Sequence, residues 1–253
     1  MVENVSEQQT DSSEHSLEST TNDASISYSD ELEQFIYLAS HDLQEPIRKI
    51  VGYAELLEND LANDDRERVE EDLHYIVNSA ERLQSMIQSL LELSRVDRGD
   101  PELVRVNTNE SVGNTLENLE FFLNDHQAEV DHGDLPPVMA EPEKLTQVYQ
   151  NLIENGIKYN ESSPPKIWLT GDRDGDHVIL GVKDNGIGIS EEYVDKIFKP
   201  LKRLQSRRDY QGSGLGLTIC EKIMKRFRGE IWVESWEQGS HFKFRLRGVN
   251  EDA

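Results

Sequence analysis

The sequence predicts an α+β fold in which an antiparallel helical hairpin precedes a two-layer α/β sandwich. Two successive segments repeat apolar residues at spacings of three and four, which is typical of helices that pack along a seam. Beyond residue 102, short β-like runs alternate with amphipathic helices. We therefore expect a disordered acidic tail over residues 1–30, a hairpin over 31–98 and a sandwich over 103–249.

The first 30 residues are predicted to be a tail because they are rich in Ser, Thr, Glu, Gln and Asn and contain no Lys or Arg. They hold too few large apolar side chains to offset the entropy of ordering them. A tail this short and polar is not a folded sensor domain. We therefore expect any input to come from a separate sensor or input protein, or from sequence outside this chain.

The composition argues against several classes of protein. Acidic residues number 50 against 26 basic ones, and the formal net charge of −24 repels nucleic acid. No apolar run approaches the roughly 18 residues of a membrane helix, and the N-terminus lacks a secretory signal pattern. We expect a soluble, cytoplasmic protein with no membrane span. The single cysteine, Cys220, permits no internal disulfide and is expected to be a small buried helix residue.

The hairpin is predicted from two apolar seams. The first runs from Leu32 to Leu61, with one extra residue in its heptad rhythm near residues 39–47, and the second runs from Val69 to Ser94. Residues 63–65 supply the turn between them. One hairpin leaves its seam half exposed, so we expect a homodimer in which two copies form a four-helix bundle. A hairpin packed only on its own chain is the alternative.

The sandwich elements follow from periodicity and turn signals. Gly99-Asp100-Pro101 should end the second helix. Helices are then expected over residues 111–124, 142–159 and near 218–228, and strands over 104–106, 166–170, 178–182, 230–235 and 241–246.

The first motif that carries chemistry is Ser40-His41-Asp42-Leu43-Gln44-Glu45-Pro46. At 100° per residue, His41 points away from the seam into solvent. Asp42 can hold one ring N–H and leave the other nitrogen free to attack. Pro46 cannot donate a backbone bond to residue 42 and should kink the helix. A His-Asp pair on a helix surface is usually without a role, but its coincidence with the heptad irregularity favours function.

Three further motifs are suited to a nucleotide. Asn151, Asn155 and Lys158 form one stripe of a predicted helix that ends at Tyr159. Amide oxygens can ligate Mg²⁺, and a lysine can bind phosphates. An ordinary polar helix face is the alternative for each residue singly. Asp184 follows a strand and can accept the exocyclic amine of adenine, while Gly186 and Gly188 let backbone approach a flat ring, although a plain turn has the same pattern.

The last motif opens the helix near residue 218 with free N–H groups that suit phosphate; its residues are Gly212, Gly214, Leu215 and Gly216. It matches neither a P-loop nor a dinucleotide fingerprint. A mobile lid over phosphates and a solvated loop account equally well for five nearby positive charges, on Lys199, Lys202, Arg203, Arg207 and Arg208.

In this order, the four motifs resemble the sensor histidine kinases of two-component signalling over roughly residues 32–247. The resemblance implies a GHKL-type ATP-binding domain and transfer of the ATP γ-phosphoryl group to His41, with Asp42 as base. It implies a response regulator as the partner that accepts the group on an aspartate. It also implies that Asn155 ligates Mg²⁺ and that Asp184 recognises adenine, with the other residues of the three nucleotide motifs around the ATP.

The sequence departs from the family pattern at three positions. Glu45 stands where kinases that also dephosphorylate their partner typically carry Thr or Asn, which puts phosphatase activity in doubt. Leu201 replaces a usual aromatic residue, and His241 stands where threonine is common. The alternative function is a non-catalytic, nucleotide-responsive dimer that signals by binding alone.

Overall fold

The computed structural model describes residues 11–96, 98–201, 213–236 and 238–249, with side chains described from residue 36 onward. It contains two compact units, residues 1–76 and 77–253, whose boundary falls within the second helix. The predicted division at residues 98–103 stays a prediction. No helix within the described ranges has the length and apolar character that crossing a membrane requires.

Helix α1 spans Asp11–Ala62 and helix α2 spans Arg66–Val96, as the hairpin prediction requires. The start of α1 differs from the prediction, because its backbone is helical over residues 11–30, where a disordered tail is expected. No Gly or Pro interrupts the sequence between Asp11 and Pro46, so no residue there breaks a helix. Residues 1–10 of the predicted tail lie outside the described residues.

Most buried side chains of the two helices follow heptad spacing, and of these only Ala39 lies on a predicted seam. Among the described side chains, the buried positions on α1 are Ala39, Pro46 and Asp60, and those on α2 are Asp72, Ser79, Met86, Leu93 and Val96. The predicted seams are instead largely open in a single chain. Five of their apolar residues are 46–61% exposed, namely Ile36, Ile47, Leu61, Leu73 and Ile87.

The second unit is built on a five-stranded sheet of order β2-β4-β5-β7-β6 and a two-stranded sheet of β1 and β3. The strands are β1 Val104–Val106, β2 Glu129–His132, β3 Val138–Ala140, β4 Lys166–Asp174, β5 His177–Asp184, β6 Glu230–Trp236 and β7 Gly239–Arg247. The β2 and β4 strands are parallel, and the other pairs are antiparallel. Strands β2 and β3, and a short 3₁₀ turn at Glu191–Tyr193, are additional to the predicted elements.

Four helices accompany the sheet: α3 Thr108–Asn118, α4 Glu120–Asp125, α5 Pro142–Lys158 and α6 Gly216–Arg226. The single helix predicted over residues 111–124 is broken at Leu119 into α3 and α4. Its apolar rhythm continues across the break, which is why periodicity alone predicts one helix.

The core of the second unit lies between helices α5 and α6 and one face of the five-stranded sheet. This arrangement gives the predicted two-layer sandwich. Helix α5 contacts α6, β4 and β5, and α6 contacts β6 and β7. The predicted apolar stripe of α5 is fully buried, at Leu145, Val148 and Leu152. Burial of each such side chain contributes roughly 1.5–3 kcal/mol. Cys220 is buried on α6 as a free thiol, as expected.

Candidate functional site

A cavity of about 220 Å³ opens at the end of α5, beside the loop that follows β5 and the start of α6. Its lining includes residues from all three predicted nucleotide motifs: Asn151, Asn155, Lys158, Tyr159, Asp184, Gly188, Gly214 and Gly216. Apolar walls are added by Ile187, Ile189, Ile197 and Phe242. The fold therefore brings together motifs that lie more than 60 residues apart in sequence.

Asp184 is the buried acid of this cavity, with 4% of its surface exposed. Its Oδ1 accepts hydrogen bonds from the backbone N–H groups of Gly186 at 2.8 Å and Ser240 at 3.1 Å. Both donors use the same oxygen, so Oδ2 is the acceptor left for a ligand. Burial raises the pKa of Asp184 to about 6, against the two backbone bonds, which lower it. At neutral pH the group is chiefly a carboxylate that can accept from an amino group.

Close packing ties the loop after β5 to the end of α5. The N–H of Ile187 donates to the carbonyl oxygen of Tyr159 at 3.0 Å. A Cβ on Gly186 would collide with that same carbonyl oxygen, so only glycine fits there. Gly186 does not line the cavity itself; its roles are this close approach and its bond to Asp184. Gly188 has a φ of +72°, in the left-handed region that favours glycine.

Gly156 is a further site residue that the motif analysis did not single out. A Cβ there would lie 2.7 Å from Ile167 Cδ1 and 3.1 Å from Asp184 Cβ. Its lack of a side chain lets α5 sit directly against the strands that carry Asp184. The one sequence signal for this role is that a glycine stands inside a predicted helix. Glycine there costs stability, so its presence indicates that close packing requires it.

The polar stripe of α5 lines the cavity, and the positive charge of Lys158 is compensated by a neighbouring acid. Lys158 Nζ lies 2.7 Å from Glu154 Oε2, and both residues line the cavity. Sequence analysis missed Glu154, although its place four residues before Lys158 is the usual helix spacing of an ion pair. Asn151 Nδ2 donates to the carbonyl oxygen of Gln147 at 3.1 Å, and a Cβ on Gly216 would lie 2.8 Å from Asn151 Oδ1.

The half-buried Asn155 fits a metal ion that arrives with phosphate. Asn155 lines the cavity, and its side-chain amide has no hydrogen-bond partner among the residues that the structure describes. A cluster of three or more His, Cys, Asp or Glu that could hold a metal alone is absent from the described part of the chain. An amide oxygen preserves the positive charge of Mg²⁺ for the phosphates, so the donor set is compatible with a Mg²⁺–nucleotide complex.

The glycine-rich motif is only partly described. Gly214 has a φ of +72° and lines the cavity, and Gly216 begins α6. Leu215 is fully buried and does not line the cavity, so its side chain anchors this segment in the core. Lys199 is exposed and lies outside the lining. Gly212 and the other predicted lid residues, Lys202, Arg203, Arg207 and Arg208, lie outside the described residues.

Two serines of α2 also line the cavity, and sequence analysis did not find them. Ser85 and Ser89 lie one helical turn apart, and Ser89 Oγ donates to Ser213 Oγ at 3.0 Å. Their i, i+4 spacing on a polar helix face is an ordinary pattern. The only signal for their role is the tertiary contact.

The first unit carries the predicted nucleophile. The side chain of His41 is 64% exposed, and its Nδ1 lies 3.1 Å from Asp42 Oδ1. When Nδ1 carries the proton of this contact, Nε2 is the nitrogen with a lone pair for attack. Glu45, one turn later, forms an ion pair with Lys49 at 3.0 Å.

Comparisons with known proteins agree with this geometry. The family model "His Kinase A (phospho-acceptor) domain" matches residues 31–99, and "Histidine kinase-, DNA gyrase B-, and HSP90-like ATPase" matches residues 140–249. The catalytic domain of histidine kinase ThkA is 32% identical over 58% of this chain and 96% of its own, with a TM-score of 0.50. The chain belongs to the sensor histidine kinase family. Its second unit is an ATP-binding domain of the GHKL fold, and the α+β prediction is confirmed.

Longer relatives of this histidine kinase family extend the comparison. Phytochrome-like protein Cph1 of Synechocystis sp. is 38% identical over 217 residues, which is 85% of this chain and 29% of that protein. The chain thus spans less than a third of the length of this relative. The structure of ThkA in complex with response regulator protein TrrA matches 85% of this chain and 61% of its own at 27% identity, with a TM-score of 0.67.

Proposed function

We propose that this chain is an ATP-dependent protein-histidine kinase that phosphorylates His41 and passes the phosphoryl group to an aspartate of a response regulator. The observation that carries the proposal is the division of acceptors at Asp184, whose Oδ1 is bonded to backbone and whose Oδ2 is left for the exocyclic amine of adenine. The exposed His41–Asp42 pair supplies the nucleophile in the same chain.

In the proposed reaction, His41 Nε2 forms a bond to the γ-phosphorus of ATP while the bond from that phosphorus to the bridging oxygen breaks, and ADP leaves. Asp42 holds the N–H on Nδ1, stabilises the positive charge that grows on the ring during attack and, as the base, accepts the Nδ1 proton, which leaves a neutral phosphohistidine ring. Mg²⁺, held by Asn155 when bound with ATP, would neutralise phosphate charge. Glu154 and Lys158 both line the cavity as an ion pair, and the Lys158 ammonium can turn from Glu154 towards phosphate.

The partners are part of the proposal. ThkA was solved with a response regulator, which supports the same class of acceptor here. The exposed apolar residues of the hairpin support a homodimer, because a second copy would cover them. A cytoplasmic location and a separate sensor or input protein stay predictions from the sequence.

Incubation with γ-labelled ATP and Mg²⁺ tests the proposal. We expect acid-labile label on the protein that is lost in His41→Gln, and transfer of that label to a receiver domain. Asn155→Asp should lose labelling, because a carboxylate reduces the metal charge available to phosphate. Nucleotide binding without any label in the native chain would instead support the nucleotide-responsive dimer.

A further inference from the structure

We propose that Arg226 is a positioning residue for phosphoryl transfer, because it fixes the linker that joins α2 to the ATP-binding fold. The inference rests on the proposed kinase function. Arg226 lies in the last turn of α6, and its side chain is only 10% exposed. Arg226 does not line the cavity, so its proposed role requires no direct contact with the nucleotide.

The guanidinium first makes a two-pronged pair with a carboxylate. Arg226 Nε donates to Glu141 Oε2 at 2.6 Å, and Nη2 donates to Glu141 Oε1 at 3.0 Å. Glu141 is the residue immediately before α5. The bond from Arg226 lowers the pKa of the Glu141 carboxyl, so the pair is charged at neutral pH. Two parallel bonds fix the plane of the guanidinium as well as its position.

The same guanidinium also holds the main chain of the linker. Nη1 donates to the carbonyl oxygen of Gly99 at 2.9 Å, and Nη2 donates to that of Asp100 at 3.2 Å. Gly99 has a φ of +71°, which turns the chain sharply after α2. One side chain therefore connects the end of α6, the start of α5 and the linker.

A second cation on the same face of α6 extends this arrangement to α2. Lys222, one turn before Arg226, donates from Nζ to the carbonyl oxygen of Leu93 at 3.3 Å. Gln147 of α5 donates to Glu92 Oε2 at 3.0 Å. Val96, the last residue of α2, is 1% exposed. Cations near helix C-terminal carbonyls are favourable, and together these contacts seat the end of α2.

The consequence for the reaction is kinetic. His41 and the cavity lie in different compact units, and α2 and its linker are the covalent path between them. Freedom at residues 98–101 would lower the effective concentration of His41 at the γ-phosphate. The guanidinium removes that freedom without touching the nucleotide, so it should affect the transfer rate and not nucleotide affinity.

The test compares Arg226→Met, which keeps an apolar stem but has no donors, with the native chain. We expect its autophosphorylation rate at saturating ATP to fall between about 10- and 100-fold. The Kd of ADP, measured by calorimetry, should stay within about twofold. Lys225→Met is the matched control: Lys225 is in the same helical turn, is 68% exposed and pairs with Glu221 of its own helix. This control should keep both the rate and the affinity of the native chain.

A catalysis-independent measurement separates this inference from the proposed function. Two linker amides are hydrogen-bonded: Arg98 N–H donates to the carbonyl oxygen of Arg95 at 3.1 Å, and Glu102 N–H donates to the Glu141 carboxylate. Hydrogen exchange of these two amides should quicken at least about tenfold in Arg226→Met and stay unchanged in Lys225→Met. Arg226→Lys, which keeps one charge but loses the planar fork, should fall between the two in exchange and in rate.

Three results would overturn the inference: an unchanged or increased rate in Arg226→Met, a parallel loss of ADP affinity, or unchanged exchange in the linker. If the native chain acquires no label, the proposed function fails and the transfer role of Arg226 fails with it. Exchange then still shows whether the guanidinium restrains the linker.

Discussion

At Asp184 the two carboxylate oxygens differ in their hydrogen bonds, and substitution by asparagine tests the role proposed for Oδ2. In Asp184→Asn, the amide oxygen can keep both backbone bonds at Oδ1 and places an NH₂ group where Oδ2 stands. A donor then faces the adenine amine. We expect the affinity for ADP to fall at least about 100-fold, or roughly 3 kcal/mol, by calorimetry.

The same substitution should stabilise the unliganded protein. The folded pKa of about 6 lies above the ordinary value of 3.8, so ionisation of Asp184 opposes folding at neutral pH. Removing it should raise the free energy of unfolding by up to about 3 kcal/mol at pH 7. The gain should shrink as the pH falls from 6 to 4, where the native group is protonated. Denaturant titrations at pH 7 and 4.5 measure this difference, and an equal gain at both pH values would contradict it.

Ligand affinity should also depend on the protonation of Asp184. Protonation of Asp184 removes the acceptor for the adenine amine, so affinity should fall as the pH drops through about 6. Adenosine is the appropriate probe because it has no phosphate that titrates in this range. Binding curves between pH 5 and 8 should show the decrease in the native chain, and Asp184→Asn should bind adenosine weakly at every pH.

Site residues differed in how well sequence could identify them. Asn155 and Asp184 lie in short motifs whose chemistry is evident from residue type and spacing. Glu154, Ser85 and Ser89 were missed because no local pattern distinguishes them from an ordinary helix face. Leu215 lies inside the predicted glycine-rich motif, but only packing shows that its side chain belongs to the core.

At the scale of elements, the hairpin buries two facing acids near its turn. Asp60 and Asp72 are 8% and 6% exposed, and Asp72 Oδ2 has no hydrogen-bond partner among the described residues. Burial, followed by the charges of Asp60 and Glu71, raises the pKa of Asp72, while Arg68 lowers it. This raised pKa makes the hairpin less stable as the pH rises through the folded value.

Asp72→Asn should therefore raise the thermal unfolding midpoint of the hairpin at pH 7, because it removes the buried charge and keeps the shape of the side chain. The gain should be smaller in acid, where Asp72 is protonated. Far-ultraviolet circular dichroism of the full chain measures both midpoints. Glu58→Gln, an exposed change on α1, is the control and should have little effect.

Periodicity predicted the long elements and failed at the short ones. Helix α5 and the two hairpin helices are each 17 or more residues long. Their apolar stripes are recognised because the pattern repeats over many helical turns. The β2 and β3 strands have four and three residues, too few for an alternation to be recognised. Periodicity also cannot say which partner covers a stripe: the buried heptad of α2 contains Asp72 and Ser79, while the apolar seam beside it is open.

At the scale of the whole molecule, the open seam predicts how copies assemble. Leu73→Glu places a charge on a 46% exposed apolar position, and we expect it to convert a dimer into monomers. Sedimentation velocity measures the change. Glu70→Gln, on an exposed neighbouring position, should remain dimeric, as should Asp184→Asn. A native chain that sediments as a monomer would instead show that the hairpin packs on its own chain.

The three tryptophans of the chain lie on the face of the sheet opposite to α5 and α6; they are Trp168, Trp232 and Trp236. One of them, Trp236, is hydrogen-bonded to a residue that lines the cavity. The indole N–H of Trp236 donates to the backbone carbonyl oxygen of Asp184 at 2.9 Å, and the ammonium of Lys183 lies 3.5 Å from its ring centroid. An adenine that bonds to the carboxylate of Asp184 would thus perturb the surroundings of an emitting indole through one residue. We therefore expect the fluorescence of Trp236 to change when a nucleotide binds, so that occupancy can be followed without an added label.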